Sequence, residues 1–553
     1  MRSWLKYARR HAFYVIRILL YRLSVLYGLR SIRITMKHAH TPTTPHLRSS
    51  RPGFKAQAKA ESKAGARARS GRSSAKLHSS KPRSQRHTPH ESQQNNTPAY
   101  CGCPWLTIPY AEQLREKNHS MRELFNPWIH EHSCTLNPII GMELKDETQP
   151  CAFRYKVATP FAEAHTSRHT QMARAPRDAH ARRGGRASHI QPLACGFYAP
   201  GTHAIIPCTH CPSEAPQARD ILNFIAYKAA ELGISAYNED SCTGDLRHAI
   251  LRISKHYNES MLVLVTRVRN FPQKKTLVRA ILRAFPQLTT IVQNVNARNT
   301  NAMLGTYTVP LFGPGKIRDK LLGCTFEIGP CSFFQTNPQQ TEILYQVAID
   351  GVQTFCQKRT LPARKSGSLK HNKAAKSQHP QGMLRIMDAY CGCGTIGICL
   401  ASQIEDAVVV GIDQVEDSIE RARRNRKLNH LRSRAVYSLD DATHFMHNFV
   451  YASSVTSELS HEDEATAMNN DDRPRFDAII MDPPRAGSTP EFIAGACALA
   501  PTCIVYISCN PVTQERDLHE FYARGYVPRS ITPVDMFPHT PHVESVVLMT
   551  KAD

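Results

Sequence analysis

The sequence has few of the features that mark membrane and secreted proteins. Its apolar stretch at residues 13–29 is broken by Arg17 and Arg22, whereas a membrane helix is expected to hold about 18–20 residues without charge. An interfacial amphipathic helix is the alternative for that stretch. No cleavable secretory pattern accompanies the 17 cysteines, which indicates a reducing compartment where thiols serve as nucleophiles, metal ligands or small core residues. We therefore expect a cytoplasmic protein without a membrane span.

Acidic residues are almost missing from the first hundred positions, where 21 Lys and Arg stand against only Glu61 and Glu91. This segment carries +19 of the formal net charge of +24, and the rest, with 49 basic and 44 acidic residues, carries only +5. Residues 1–98 are predicted to be a basic, disordered tail. The tail is either an RNA phosphate binder or a solvated appendage, and its first 35 residues are a candidate over-extended start, with Met36 as the later one.

The remaining chain divides into two predicted domains. Residues 99–330 alternate short apolar runs with helical stretches near 218–232 and 275–285, which predicts an α+β middle domain. Residues 331–553 predict a second domain, an α/β fold with a doubly wound, Rossmann-like sheet. Three segments are predicted to be surface loops, namely a basic insertion at 163–190, a basic linker at 358–383 and an acidic insertion at 452–474.

A glycine-rich turn follows a short predicted strand at residues 384–388 and precedes a predicted helix at 396–401. It contains Gly392, Gly394 and Thr395, and glycines let the backbone approach a ligand closely. Asp413, 19 residues beyond Gly394, ends the next strand, where an acid can accept the ribose hydroxyls of an adenosine ligand. A Gly-Cys-Gly-Thr pattern in place of G-x-G-x-x-G favours S-adenosylmethionine over a dinucleotide.

An acidic pair ends the third predicted strand of this domain. Asp441, the second of the two, is at a position where a carboxylate can meet an adenine amino group. The alternative is a plain turn.

Three later segments contain the candidate catalytic residues. The strand at 476–481 leads into Asp482-Pro483-Pro484-Arg485, and the strand at 503–507 leads into Ser508-Cys509-Asn510-Pro511. Glu544 begins another apolar run about thirty residues later. The carboxyl ends of parallel strands are where open α/β sheets hold their reactants.

The thiol and the carboxylate suit one particular reaction. Uracil C5 is too poor a nucleophile to displace methyl from a sulfonium, but addition of a thiolate at C6 makes C5 enolate-like. Cys509 fits the nucleophile, and Glu544 fits the base that removes the C5 proton afterwards. Taken alone, Cys509 is more often a small buried residue and Glu544 a solvated acid, so the prediction depends on their occurrence together with Asp482 and the glycine-rich turn.

With these motifs the chain resembles the RNA (uracil-5-)-methyltransferase family over about residues 99–553. The matching segments are residues 332–337, 388–397, 482–487, 508–517 and 535–544. The resemblance implies that Cys509 is the nucleophile and Glu544 the base. It also implies S-adenosyl-L-methionine as cofactor, contacted by Gln335, Tyr390, Thr395, Asp413, Asp441 and Asp482. Phe333 and Phe334 are expected either to pack on the cofactor or on an everted base, or to be ordinary core aromatics.

The resemblance also bears on the N-terminal cysteines, because many family members hold a 4Fe-4S cluster on four of them. Cys103 and Cys211 match that pattern, but Tyr100 stands where the family has cysteine. Cys101 and Cys208 are the candidate substitutes. Four thiolates suit either an iron–sulfur cluster or zinc, and unliganded thiols are the remaining alternative.

Two features bear on the substrate. Family members often begin with a small oligonucleotide-binding barrel, and residues 1–98 show neither the alternating strands nor the hairpin turns of one. The middle domain, including residues 299–305, resembles the ribosomal branch more than the transfer-RNA branch. We therefore expect a monomer that methylates a uridine of 23S rRNA. The alternatives are a tRNA uracil-5 enzyme, a cytosine C5 enzyme and a catalytically silent RNA-binding member.

Overall fold

The computed structural model describes residues 102–144, 147–164, 192–300, 302–357, 383–458 and 475–552. All of these belong to one compact unit, Thr97–Lys370 with Pro380–Asp553. The other unit, Met1–Asn96 with His371–His379, lies outside the described residues. So do the predicted tail, Cys101 and most of the three predicted surface loops. The division into domains at residue 330 stays a prediction.

The described elements alternate along most of the chain. The helices are α1 (Tyr110–Leu124), α2 (Asn126–Glu131), α3 (Ala218–Glu231), α4 (Lys274–Ala284), α5 (Pro338–Gln357), α6 (Thr395–Gln403), α7 (Glu416–Leu428), α8 (Ala442–Glu458), α9 (Pro490–Ala498) and α10 (Pro511–Tyr522). The strands are β1 (Thr135–Leu136), β2 (Lys156–Glu163), β3 (Leu193–Tyr198), β4 (Ile205–Pro207), β5 (Leu246–Ile253), β6 (Ser260–Thr266), β7 (Thr290–Val295), β8 (Tyr307–Phe312), β9 (Ile317–Leu321), β10 (Cys324–Ile328), β11 (Leu384–Ala389), β12 (Ala407–Asp413), β13 (Ala435–Leu439), β14 (Ala478–Met481), β15 (Cys503–Ser508), β16 (Tyr526–Val534) and β17 (Glu544–Lys551). None of the described helices is long and apolar enough to cross a membrane.

An eight-stranded sheet forms the centre of the second predicted domain. Its order is β1-β16-β17-β15-β14-β11-β12-β13, and β17 alone runs antiparallel to its neighbours. Adjacent residues of one strand enter opposite cores, since Ile386 packs on the side of α5, α6 and α7 while Met387 packs on the side of α8, α9 and α10. This alternation follows from the two-residue period of a strand. The predicted doubly wound α/β fold is confirmed.

A seven-stranded sheet, ordered β4-β3-β2-β5-β6-β7-β8, forms the middle of the chain. Helices α3 and α4, both predicted, cover one of its faces. Its other face contributes Ile250, Met261 and Val263 to the core that also contains Ile386 and Val409 of the eight-stranded sheet. The two sheets therefore share buried apolar surface, whose removal from water stabilises their contact.

Two boundaries differ from the sequence prediction. Helix α8 continues to Glu458, so the first residues of the predicted acidic loop at 452–474 are helical. The segment before residue 140 packs on the eight-stranded sheet, because β1 pairs in parallel with β16 and the buried Trp128 of α2 enters the core on that side. Part of the predicted middle-domain sequence thus lies against the second domain.

Candidate active site

The glycine-rich turn after β11 has the backbone that a close ligand contact needs. Tyr390, Gly392 and Gly394 all have positive φ, at 63°, 53° and 81°. A Cβ built on Gly392 would meet nothing within 4 Å, whereas one on Gly394 would lie 2.6 Å from the hydroxyl of Tyr437. A side chain at position 394 would clash with Tyr437, so packing requires glycine there. At position 392 the space beside the backbone is open to a ligand. The N-terminus of α6 follows directly, where free N–H groups favour polar ligand groups.

The side chain of Asp413 hydrogen-bonds both to the glycine-rich turn and to the turn that follows β12. One oxygen of its carboxylate accepts a hydrogen bond from the N–H of Gly392 at 3.0 Å, and the other accepts from the N–H of Val415 at 2.8 Å. The carboxylate thus lies beside the glycine with the open approach. Each oxygen has a further lone pair, so a role toward ribose hydroxyls remains compatible with these bonds and stays a prediction.

Asp441 has a clear structural role of its own. Its Oδ1 accepts hydrogen bonds from the N–H groups of Thr443 and His444, at 2.9 and 3.1 Å. Asp441 therefore acts as the N-cap of α8. This supports the turn interpretation, while the predicted adenine contact stays a prediction.

The other predicted cofactor-contacting residues are partly or fully buried around the same turn. Gln335 is buried, and the ring of Tyr390 packs on Phe492 with centroids 5.1 Å apart. The hydroxyl of Thr395 lies 3.0 Å from that of Tyr345. Tyr345 belongs to α5, fifty residues earlier in the chain, and no sequence pattern pointed to it.

The two neighbouring phenylalanines have different environments. Phe334 is buried in the core against Phe326, whereas 63% of Phe333 is exposed. The carbonyl of Phe333 accepts a hydrogen bond from the thiol of Cys393 at 3.4 Å. Phe334 is therefore a core aromatic, and Phe333 is an exposed ring beside the glycine-rich turn.

Strand register brings the predicted catalytic residues to one edge of the sheet. Met481 pairs with Tyr506 across β14 and β15, and Ser508 pairs with Ser545 across β15 and β17. Asp482 and Cys509, which follow β14 and β15, and Glu544, which begins β17, therefore meet at the carboxyl end of the parallel strands. Glu544 and Cys509 lie opposite each other in the antiparallel register.

The charges of these groups influence one another. Burial and then the carboxylate of Asp482 raise the pKa of Glu544 to about 8, against the opposing effect of Arg485. Burial raises the pKa of Asp482 to about 7. The pKa of Cys509 is also raised, by burial first and then by Glu544 and Asp482, while hydrogen bonding and the charge of Arg485 lower it. A cluster of shifted pKa values at one strand edge is typical of active sites.

Arg485 also links the two turns that hold the cluster. Its carbonyl oxygen accepts hydrogen bonds from the side-chain amide of Asn510 at 3.0 Å and from the hydroxyl of Thr513 at 3.2 Å. The backbone of the turn after β14 is thus fixed against the turn that contains Cys509. No sequence pattern predicted this linking role of Arg485.

Another buried carboxyl group, that of Asp388, lies near the turn. Asp388, at the end of β11, accepts a hydrogen bond from the N–H of Gly397 at 3.0 Å. Burial raises its pKa to about 7, and the nearby Asp482 and Asp413 contribute to the increase. Asp388, Asp413 and Asp482 thus place three carboxyl groups close together beside the turn, and their ionised forms would suit a cationic ligand such as a sulfonium.

Three of the four predicted metal ligands lie together. Cys103, Cys208 and Cys211 form a small buried cluster with Leu106 and Phe197. The hydroxyl of Ser213 lies 3.6 Å from the sulfur of Cys103 and 3.1 Å from that of Cys211. Within the described part of the chain, no group of three His, Cys, Asp or Glu side chains is arranged to hold a metal ion, and Cys101 lies outside that part.

Comparisons with known proteins agree with the geometry. A family model described as tRNA (Uracil-5-)-methyltransferase matches residues 372–552. An uncharacterized RNA methyltransferase of Halalkalibacterium halodurans is 31% identical over 448 residues, 81% of each chain. One of Bacillus cereus is 31% identical over 452 residues, 82% of this chain and 81% of the relative.

A solved structure has a similar fold. The tRNA (uracil-54, C5)-methyltransferase of Pyrococcus abyssi, in complex with S-adenosyl-L-homocysteine, gives a TM-score of 0.54 at 24% identity, covering 82% of this chain and 87% of that one. At this level of identity the likeness shows the fold.

Proposed function

We propose that this chain, which belongs to the family of RNA uracil-5-methyltransferases, methylates C5 of a uridine in 23S rRNA. Enzymes of this family depend on S-adenosylmethionine. The observation that supports this reaction most is the meeting of Cys509, Glu544 and Asp482 at one strand edge beside the glycine-rich turn. A thiol opposite a buried carboxyl group is what addition at C6 and proton removal at C5 require.

The first step is addition of the Cys509 sulfur to uracil C6. The thiolate is the reactive form, and the guanidinium of Arg485 favours it by hydrogen bonding and charge. Formation of the S–C6 bond moves the electrons of the C5–C6 double bond toward C5 and the O4 carbonyl. C5 then has the nucleophilic character that free uracil lacks.

The cofactor residues hold the methyl donor beside C5. We assign Gln335, Tyr390, Thr395, Asp413, Asp441 and Asp482 to this role. When bound, S-adenosylmethionine supplies an electrophilic methyl group to the activated C5. The open space at Gly392 and the neighbouring carboxyl groups of Asp388, Asp413 and Asp482 fit a cationic adenosine ligand.

Glu544 completes the reaction by taking the C5 proton. The electrons of that C–H bond restore the C5–C6 double bond, and the S–C6 bond breaks to release the Cys509 thiolate. A carboxyl group with a pKa of about 8 is a stronger base than an ordinary glutamate, and a base works best when its pKa lies near the working pH. Only its ionised form can take the proton.

RNA that contains 5-fluorouridine tests the thiol assignment. Fluorine at C5 cannot be removed as a proton, so the wild-type enzyme is expected to form an adduct that survives denaturation. Cys509→Ala should abolish it, whereas Cys497→Ala, a partly buried thiol on α9, should leave it unchanged. An undiminished adduct in Cys509→Ala would overturn the assignment of the nucleophile, and RNA binding without any methyl transfer would favour the silent RNA-binding alternative.

The choice of RNA rests on a different feature. Residues 299–305 resemble the ribosomal branch, and two of them, Ala302 and Met303, accept hydrogen bonds through their carbonyls from the side-chain amide of Asn296, directly after β7, at 2.6 and 3.2 Å. Transfer RNA is the alternative, since the Pyrococcus abyssi enzyme acts on it by name. Methylation of unmodified 23S rRNA but not of unmodified tRNA by the purified enzyme is expected, and the reverse preference would select the alternative.

We also propose that the cysteine cluster binds a metal, either as a 4Fe-4S cluster or as zinc, through Cys101, Cys103, Cys208 and Cys211. Three of these thiols are buried together, which supports the proposal. Iron, sulfide and zinc analysis of anaerobically purified protein is the test. Near-stoichiometric metal that is lost in Cys208→Ser is expected, and metal-free protein of full activity would contradict the proposal.

A further inference from the structure

The segment between β16 and β17, residues 535–543, leads directly into Glu544, and we call it the base loop. Its residues are mostly buried, yet it contains no regular element. The carboxyl group that we assign as the base stands directly at the end of this loop. The groups that fix this loop therefore bear on proton removal.

One completely buried contact of the base loop is an ion pair with helix α1. The ammonium of Lys117 lies 2.5 Å from Oδ1 of Asp535, and both side chains are completely buried. The same ammonium donates a hydrogen bond to the carbonyl of Phe537 at 3.2 Å. Tyr110 donates its hydroxyl hydrogen to the other oxygen of Asp535 at 2.9 Å. Lysine is rarely buried unless it is paired, so this site is built around the pair.

A second contact from the same helix holds the middle of the base loop. The side-chain oxygen of Gln113 accepts from the N–H of His539 at 2.8 Å, and its amide nitrogen lies 3.2 Å from Nδ1 of the same histidine. His539 has a φ of 64°, a conformation that non-glycine residues keep only when their surroundings impose it. Tyr110, Gln113 and Lys117 are spaced by three and four residues, so they share one face of α1.

Two residues at the start of α5 also hold the base loop. Gln340 donates to the carbonyl of Asp535 at 3.1 Å, and Asn337 donates to the carbonyl of Met536 at 3.1 Å. Both follow closely after Gln335, the predicted cofactor contact. The base loop is thus fixed between the cofactor side of the site and helix α1.

The charge of Lys117 also affects the end of the base loop, next to Glu544. Burial, and then the charges of Arg485 and Lys117, lower the pKa of His542, two residues before Glu544. Lys117 and Arg485 therefore both influence the end of the base loop, one from the helix and one from the thiol side.

From these contacts we infer that Lys117, with Tyr110 and Gln113, is a positioning residue for proton removal by Glu544, acting through Asp535 and the base loop. Loosening the loop should leave the thiol, which follows a different strand, in place. Addition of Cys509 to C6 and methyl transfer would then proceed, while removal of the C5 proton would slow. The inference rests on the roles proposed for Cys509 and Glu544.

A single-turnover experiment separates the two steps on ordinary uridine RNA with S-adenosylmethionine. Adduct formation and adduct release are both followed on denaturing gels. Glu544→Gln sets the limit, a methylated adduct that persists. Lys117→Met is expected to form adduct at close to the wild-type rate and to release it about 10- to 100-fold more slowly, the loss expected when a reacting group is misplaced by about 1 Å.

Two further variants separate positioning from a loss of stability. Lys117→Met leaves the buried Asp535 without a counter-ion, so Lys117→Met with Asp535→Asn removes both charges and should show the same slow release. Arg247→Met removes a buried arginine of β5, in the seven-stranded sheet, that pairs with the half-buried Glu239 at 3.1 Å. It should lower the thermal midpoint without changing the ratio of release to formation.

The possible results are distinct. Slow release confined to the Lys117 variants and Glu544→Gln supports the inference. Equal slowing of formation and release in the Lys117 variants, or the same ratio change in Arg247→Met, would overturn it. If Glu544→Gln itself releases its adduct at the wild-type rate, the role proposed for Glu544 fails, and the inference fails with it for that separate reason.

Discussion

Replacing Glu544 by glutamine is expected to stabilise the folded protein at alkaline pH while it blocks turnover. The carboxyl group is buried, and its pKa rises from an ordinary 4.5 to about 8. A group that holds its proton more tightly in the folded state than in the unfolded state favours folding only while it is protonated. As the pH rises from about 4.5, the unfolded chain loses this proton first, and the free energy of unfolding falls until the folded group ionises near pH 8.

The size of the effect follows from the two pKa values. A tenfold difference in proton affinity corresponds to about 1.4 kcal/mol, so the interval between 4.5 and about 8 gives an upper limit of about 5 kcal/mol. Glutamine has nearly the same shape and does not titrate. The gain in unfolding free energy of Glu544→Gln over wild type should therefore be small near pH 5, increase through neutral pH and level off above about pH 8.

Urea denaturation of both proteins at pH 5, 7 and 8.5 measures this difference. A control, Glu231→Gln on the surface of α3, removes a carboxylate in an exposed i,i+3 ion pair and should show little pH dependence. If the difference between Glu544→Gln and wild type stays constant with pH, or decreases as the pH rises, then Glu544 does not carry the raised pKa on which its role as a base depends.

Two other substitutions test the charge coupling in the site. Asp482→Asn removes the charge that helps to raise the pKa of Glu544, so the pH dependence of adduct release in single turnover should move to lower pH; a move to higher pH would contradict this. Arg485→Met removes the group that lowers the pKa of Cys509. Adduct formation with 5-fluorouridine RNA should slow at neutral pH and recover as the pH increases, and slowing that is equal at all pH values would show another cause.

The site residues that stand directly after a strand could be predicted from the sequence. Asp482 and Cys509 each follow a short apolar strand, and a parallel α/β sheet brings such strand ends together. Their approach to Glu544 could be expected from the order of the motifs. The register of β17 against β15, with Ser508 opposite Ser545, depends on β17 being antiparallel. No local sequence pattern indicates that direction.

The contacts that hold the site were not predictable, because they join distant parts of the chain. Lys117 and Asp535 are 418 positions apart, and Lys117 stands on α1, a helix rich in charged residues. A lysine on such a helix is ordinarily expected at the surface. The hydrogen-bonding position of Tyr345 beside Thr395 is hidden from the sequence for the same reason.

The role of Asp441 could not be decided from the sequence for a different reason. Its place after a predicted strand fits both a cofactor contact and a helix cap, and the hydrogen bonds to Thr443 and His444 establish the cap. One short polar side chain satisfies both patterns, since caps and ligand contacts occur at the same edge of an α/β sheet. Sequence alone therefore left both roles open.

The most direct test of the proposed reaction is the identity of the methylated nucleoside. Purified enzyme would be incubated with unmodified 23S rRNA and deuterated S-adenosylmethionine, and the RNA digested and analysed by mass spectrometry. One deuterated 5-methyluridine, absent with Cys509→Ala, is the predicted result. Label in a methylcytidine or in an N-methylated base, or label that persists with Cys509→Ala, would contradict thiol-dependent methylation of uracil C5.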